Sequence, residues 1–200
     1  MPIFRTLAAL LCGFIIASPA LAQDAFGRVQ RTQAELALER AEADFEMLKA
    51  SRDEARTKCA GRDPAACYSL AEYQRTGRGG VQDLAGAAVS YRKACDARDG
   101  RGCAGLAYMT VHGRGVSANP AESRRLYRKA CDLGEVSGCA AWGNMAFTGA
   151  GGPKDVHGGT AALTDACNRE YEWACAQMRT LGTFDARDRP MDRLRDIRSQ

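Results

Sequence analysis

Histidine is nearly missing from this 200-residue chain: only His112 and His157 occur, far apart in sequence. A zinc site needs four ligands, commonly supplied by closely spaced Cys or His pairs, and no such set is present. There is no C-x-x-C pair, which excludes a thioredoxin-like redox couple, and no C-x-x-C-H, which excludes covalent haem. Of the serine elements S-x-x-K, S-D-N and K-T-G, only the first occurs, as Ser90 and Lys93 in "SYRK". No basic face is interleaved with aromatics. With 28 Lys and Arg against 24 Asp and Glu, the net charge of +4 is too small and too dispersed to mark a nucleic-acid binder. Glu170 and Glu172 flank Tyr171 but face different ways, so they do not form a carboxylate pair. These absences leave no catalytic residue, no metal and no cofactor to assign.

Long apolar runs are also scarce. The one present, "LAALLCGFIIA" at 7–17, is shorter than the roughly 20 residues a bilayer span needs. It follows Arg5 and precedes "ALA" at 20–22, the order of a secretory signal peptide, so residues 1–22 are read as a signal and Gln23 as the mature start. Cys12 follows Leu11, not a small residue, and leaves with the signal. No membrane span is expected after cleavage, and the product is placed in the periplasm or outside the cell.

What the chain has in abundance is cysteine and glycine, nine and twenty-one respectively. The eight cysteines of the mature chain fall at 59 and 67, 95 and 103, 131 and 139, 167 and 175, each pair starting 36 residues after the last. Such a fixed period marks a repeat array. Other residues keep the same interval. "YRKAC" ends at Cys95 and Cys131, and "LTDAC" at Cys167. Gly77, Gly113 and Gly149 share a phase, as do Asp83, Asn119 and Asp155, Leu70, Leu106 and Trp142, and the small residues Ala71, Ala107 and Gly143. Ser90 and Lys93 belong to this pattern, with Leu126, Ala162 and Lys129 in their phases, so the repeat already explains them.

Each unit reads as two helices. The first begins near the second cysteine, carries Cys67, Leu70 and Tyr73 on one face, and stops at the glycine. A Gly-rich turn follows ("GRGGVQD", "GRGVSAN", "GAGGPKD"). The second helix starts at the Asp or Asn, a good N-cap, with Pro120 just inside one start. A turn such as "DARDGRG" then leads to the next unit. A cysteine pair therefore straddles each inter-helix turn. In an oxidising compartment, the period favours the local set Cys59–Cys67, Cys95–Cys103, Cys131–Cys139 and Cys167–Cys175 among 105 connectivities. Each bridge is worth roughly 2–3 kcal/mol in the chain-entropy model. Ala94, Ala130 and Ala166 allow close helix approach, whereas Arg179 breaks the small-residue rule in the last unit, where an outer face is free to be polar.

The ends differ from the array at 59–184. Residues 23–58 are read as an N-terminal capping helix with Leu36, Phe45 and Leu48 apolar among charges, loose over 23–27. The charged tail 185–200 is expected to close the array with Leu194 and Ile197 facing inward.

The period, the "GVxxD" turn, "A-x-x-x-Y-x-K-A-C" and the cysteine spacing together resemble the Sel-1-like repeat, a relative of the tetratricopeptide repeat, in its bacterial cysteine-rich (Hcp) type. The best match is "GRGGVQDLAGAAVSYRKACDARDGRGC" (77–103), and the likeness runs over 59–181. "GRGVSANP" lacks the usual acidic turn residue, and the fourth unit is degenerate. The resemblance implies an all-α, right-handed αα solenoid with stapled hairpins, acting as a monomeric secreted or periplasmic scaffold without catalysis. Its ligand would be a peptide, an envelope protein or a cell-wall component. It also brings an alternative, a weak β-lactamase or penicillin-binding activity. Solenoids bind along a concave face. Helical geometry points positions one, two and five after each second cysteine toward it: Tyr68, Ser69 and Glu72; Ala104, Gly105 and Tyr108; Ala140, Ala141 and Asn144; Ala176, Gln177 and Thr180. Of these, Tyr68, Glu72, Tyr108, Asn144 and Gln177 are the candidate contacts. Arg75 and Glu72 are otherwise expected to be solvated surface.

Non-reducing peptide mapping of the mature chain is expected to recover Cys131 linked to Cys139. Free thiols there, or Cys131 joined to another unit, would contradict the periodic pairing.

Overall fold

The computed structural model describes residues 19–183. The first 18 residues of the expected signal peptide, and the tail 185–200 with Leu194 and Ile197, lie outside the described residues. Among those described there are eight helices and no strand: α1 Pro19–Ala60, α2 Pro64–Thr76, α3 Leu84–Asp96, α4 Gly100–His112, α5 Pro120–Asp132, α6 Val136–Thr148, α7 Val156–Asn168 and α8 Glu172–Thr180. No helix among them is long and apolar enough to cross a membrane. The chain divides after Asp44. The leading unit holds, within the described residues, only the first part of α1, with side chains 32–44 exposed. Residues 23–27, expected to be loose, are helical. Ala20, Ala22 and Ala25 are strong helix formers, and no proline interrupts them.

The second unit, from Phe45, is an αα solenoid of stapled hairpins. Its last turns of α1 are in phase with the second helices: Leu48–Ala60 stands 36 residues before α3, Leu84–Asp96. Ala55 and Cys59 are buried there against Ala66, Cys67 and Leu70 of α2. Each later helix packs on its neighbours in chain order, α2 on α3, α3 on α4, and so to α8. This nearest-neighbour packing is the hallmark of a solenoid.

Two kinds of turn alternate, and residue chemistry dictates both. The turn from first to second helix opens at Gly77, Gly113 and Gly149, all left-handed at φ 75°, 65° and 83°. It closes on Asp83, Asn119 and Asp155, whose side chains accept the N–H of Gly86, Glu122 and Gly158. Each capping residue also donates its own N–H back to the first helix, to Gln74, Thr110 and Ala146 carbonyls at 2.8–2.9 Å. The turn from second to first helix is only three residues long. The first helices start three residues before their second cysteine, not at it, so "DARDGRG" contains a turn of just Ala97–Asp99. The cause is a further repeat signal, the acidic N-caps Asp63, Asp99 and Glu135. Tyr171 holds the same place before α8 without a side-chain cap.

The middle residue of each short turn is left-handed: Arg62, Arg98, Gly134 and Glu170, at φ 64–87°. The next residue's N–H then reaches back to Lys58, Ala94, Ala130 and Ala166 carbonyls at 2.9–3.2 Å. Across this turn the cysteine α-carbons come within 4.3–4.8 Å, and all four expected disulfides are present. Each joins a second helix to the next first helix, so the bridges link successive hairpins.

The small residues do what close packing requires. Ala71, Ala107, Ala94, Ala130 and Ala166 are fully buried. A Cβ on Gly143 would lie 2.9 Å from the Gly159 carbonyl. Trp142 differs from its counterparts Leu70 and Leu106: it is half-buried, with the Arg128 guanidinium 5.4 Å from its ring centroid. Arg179, in the small-residue phase, is exposed.

One glycine phase controls the stacking of units. Gly79, Gly115 and Gly151 are left-handed, and a Cβ on them would sit 2.5, 2.3 and 2.2 Å from the backbone of Leu48, Leu84 and Pro120, the first residues of the preceding second-helix segments. Gly115→Ala therefore combines a left-handed penalty with a backbone clash, about 2–4 kcal/mol, a melting-point loss on the order of 10 °C. Gly134 is also left-handed but has nothing within 4 Å of its would-be Cβ. Gly134→Ala is expected to cost about 1 kcal/mol by the conformational term alone. Thermal melts of the two variants test this; equal losses would refute the stacking role of Gly115.

Candidate functional site

Successive first helices lie side by side and present one common face. On it runs a groove of about 550 Å³. Its floor is small: Ala104 and Gly105 from α4 and Ala141 from α6. Gly105 is small for a local reason, since a Cβ would meet the Tyr91 ring at 2.5 Å. Its walls are aromatic, from Tyr68 (α2), Tyr108 and His112 (α4), Tyr127 (α5), Tyr171 just before α8 and Trp173 in it. Glu72, Arg101, Glu135 and Ser137 complete the lining.

The charges in the groove are mostly committed to partners inside the protein. Arg75 Nη2 donates to Glu72 Oε2 at 2.6 Å, and the Tyr91 hydroxyl donates to Glu72 Oε1. Arg75 Nε lies 3.2 Å from the Tyr91 hydroxyl, closing a three-residue network between α2 and α3. Burial pulls the Glu72 carboxyl upward, but the hydrogen bonds from Arg75 and Tyr91 outweigh it and hold it below the usual carboxylate range. Burial, then the Glu72 bond, raises the Tyr91 phenol. Arg101 donates to Asp99 at 2.7 and 3.1 Å and lies with its guanidinium carbon 4.6 Å from the Tyr68 centroid, a cation–π contact. Glu135 spends Oε1 on its N-cap role, accepting from the N–H and hydroxyl of Ser137.

The aromatic lining residues include two ring pairs. Tyr108 stacks obliquely on His112 with centroids 4.6 Å apart, and Tyr171 on Trp173 at 6.4 Å. Arg114 donates to the Tyr108 hydroxyl at 3.2 Å. Burial, with smaller contributions from neighbouring Tyr108 and Tyr171, pushes the Tyr127 phenol up to about 12. Burial and then the Glu72 carboxylate raise Tyr68. Tyr68 and Tyr127 therefore stay protonated near neutral pH.

The structure places Tyr68, Glu72 and Tyr108 together in this groove. Asn144 and Gln177, half-buried on α6 and α8, lie outside its lining. Ala140, expected on the open face, is fully buried, packed with Leu163 and Ala166; Leu163 stands in the phase of Tyr91 and Tyr127. Glu72 and Arg75 are half-buried network members, not solvated surface. Sequence reasoning missed Arg101, His112, Tyr127, Glu135, Ser137, Tyr171 and Trp173 as lining residues. Two of them, Glu135 and Tyr171, carried a signal: they sit 36 residues apart in the N-cap phase of Asp63 and Asp99.

Ser90 has no nucleophilic setting. It is buried and donates to Gln74 Oε1 at 2.6 Å, tying α3 to α2, while Lys93 is on the exposed side of the helix. The hydroxyl serves the hairpin.

Residues 64–99 and 100–135 match the Sel1 repeat family, two consecutive 36-residue copies. No curated protein matches the chain. Among solved structures, the Sel1 repeat protein of Oxalobacter formigenes aligns at 21% identity with a TM-score of 0.58, over 63% of this chain and 52% of that one. A protective antigen present in uropathogenic Escherichia coli strains, which displays an SLR fold, aligns at 25% identity with a TM-score of 0.62, over 74% of this chain and 36% of that one. Cysteine rich protein B of Helicobacter pylori aligns at 23% identity with a TM-score of 0.54, over 66% of this chain and 95% of that one. The chain thus spans about half the Oxalobacter protein and about a third of the Escherichia antigen.

Because the folded Glu72 carboxyl lies below its ordinary value of 4.5, its contribution to stability is present above about pH 4.5 and is lost as pH falls through the folded value. Glu72→Gln is expected to lower the melting temperature near neutral pH and to flatten the loss seen on going to about pH 3. Melts at the two pH values check this, and an unchanged acid loss in the variant would show that the network does not carry the charge.

Proposed function

We propose, on the premise that this chain carries Sel1 repeats in a disulfide-stapled solenoid, that it is a non-catalytic protein-interaction scaffold and that the first-helix groove is its ligand site. Sel1-repeat proteins are in general interaction scaffolds and mainly not catalysts. The observation that carries the reading is the groove itself: five Tyr and Trp rings over a floor of alanine and glycine, with its acid–base pairs already satisfied. Aromatic rings of this kind bury large apolar areas at low entropic cost and dominate binding energetics. A site that hydrolyses needs a free nucleophile beside a base, and Ser90 supplies neither.

The ligand is an extended peptide segment of an envelope or secreted protein. From α2 to α8 the groove crosses three helix-to-helix steps of about 8–10 Å, roughly the span of eight extended residues. Tyr68, Glu72 and Tyr108 touch the peptide at one end, and Tyr171 and Trp173 at the other. Four disulfides suit an oxidising compartment, the periplasm or the outside of the cell. The protein acts there as a monomer.

Crosslinked capture from the native envelope, run in parallel with wild type and a Tyr108→Ala, Trp173→Ala double variant, tests the site. A partner held by wild type and lost at least tenfold by the variant, at equal folded content, is the expected result. Equal capture by both would remove the groove from the function.

A further inference from the structure

We propose that the first joint, where α1 turns into α2, is a second binding site. It takes an acidic peptide segment through one leucine-like side chain and a carboxylate beside it. The site is a hollow of about 420 Å³ at the Cys59–Cys67 bridge, and it shares no lining residue with the groove. The two cysteines, Ala60 and Ala97 give it an apolar lining, and Arg62, Lys93 and Asp96 add charge.

The repeat shows what fills the same place elsewhere. Ala97 caps the end of α3, and its counterpart one period on is Leu133, which caps the end of α5. Leu133 packs against Cys95 and Cys103, the bridge of the second joint. One period further stands Arg169, whose guanidinium donates to the Gly134 carbonyl at 2.8 Å and lies 3.7 Å from Asp165. The first joint alone offers a methyl group at this position. Its hollow is bounded by sulfur and methyl groups, and an apolar side chain gains by leaving water for such a surface.

The charges follow the same logic. In the second joint Lys129 lies 4.0 Å from Asp96. The counterparts in the first joint are Lys93 and Ala60, so the carboxylate is missing. Among the described residues neither Lys93 nor Arg62 forms an ion pair, and the acid that lines the hollow, Asp96, is the partner of Lys129. The first joint therefore lacks two groups that the second draws from its own chain, an apolar side chain and a carboxylate. It keeps the bridge and the cation that receive them. A segment with leucine next to Asp or Glu supplies both. The buried side chain gives most of the affinity, and the exposed charge pair sets the register.

Random dodecapeptides displayed on phage, selected on the full oxidised chain and then depleted on an Ala97→Leu variant, test this. In the variant the protein fills its own hollow as Leu133 does, and its melting temperature is expected to equal or exceed that of wild type. Surviving peptides are expected to carry Leu, Ile or Met next to Asp or Glu. They should bind Ala97→Leu at least about tenfold more weakly than wild type, the loss that excluding one buried leucine implies. Lys93→Ala should weaken the same peptides about two- to fivefold, as one exposed ion pair implies. If depletion removes every wild-type binder, this inference is overturned and the groove reading stands, because both proteins keep the groove. Failure to enrich any peptide on wild type would overturn both. Survivors without an acidic residue, or with unchanged affinity for Lys93→Ala, would overturn the role given to the carboxylate.

Discussion

Everything in this fold depends on the joint between one hairpin and the next. A second helix ends, three residues turn the chain, and the next first helix begins with a disulfide across the gap. Such a short turn needs a left-handed middle residue, and at Arg62, Arg98 and Glu170 the protein accepts that conformation in a residue with a side chain. Each costs roughly 1–2 kcal/mol. The bridge offsets this by cross-linking the unfolded chain, and the N-caps Asp63, Asp99 and Glu135 start the new helix at once. With the joint fixed, the inter-unit angle is fixed as well.

That constraint explains why the frame repeats and the face does not. Residues that meet another helix recur: the alanines at 94, 130 and 166, and the glycines at 79, 115 and 151 whose missing Cβ admits the preceding backbone. Residues that meet solvent vary from unit to unit. Tyr68 and Ala104 share a phase, and so do Glu72 and Tyr108, yet they make very different surfaces. A ligand site on this scaffold is consequently a composite, one or two side chains from each of several hairpins.

Much of this was legible in the sequence because a period of 36 multiplies weak signals. One Asp before a helix is a hint, whereas Asp83, Asn119 and Asp155 in one phase are an assignment, and the cap bonds bear it out. The same logic explained Ser90, whose hydroxyl crosses to Gln74 within its hairpin. Where the reading fell short, the cause was departure from the period. Ala140 is buried beside Leu163, which stands where the other hairpins have a tyrosine, and Trp142 is half-buried where Leu70 and Leu106 are buried.

The sequence by itself determined the element order, the cysteine pairing and the small-residue contacts, because each rests on spacing along the chain and spacing is what a repeat records. Only the tertiary structure decided the groove. Tyr68 and Trp173 are 105 positions apart in the chain and line one surface. Tyr127 belongs by its phase to the buried row of Tyr91, yet it lines the opening. Whether a side chain at a given phase is sealed or reaches a groove depends on the bulk of its neighbours two helices away, and no local pattern encodes that.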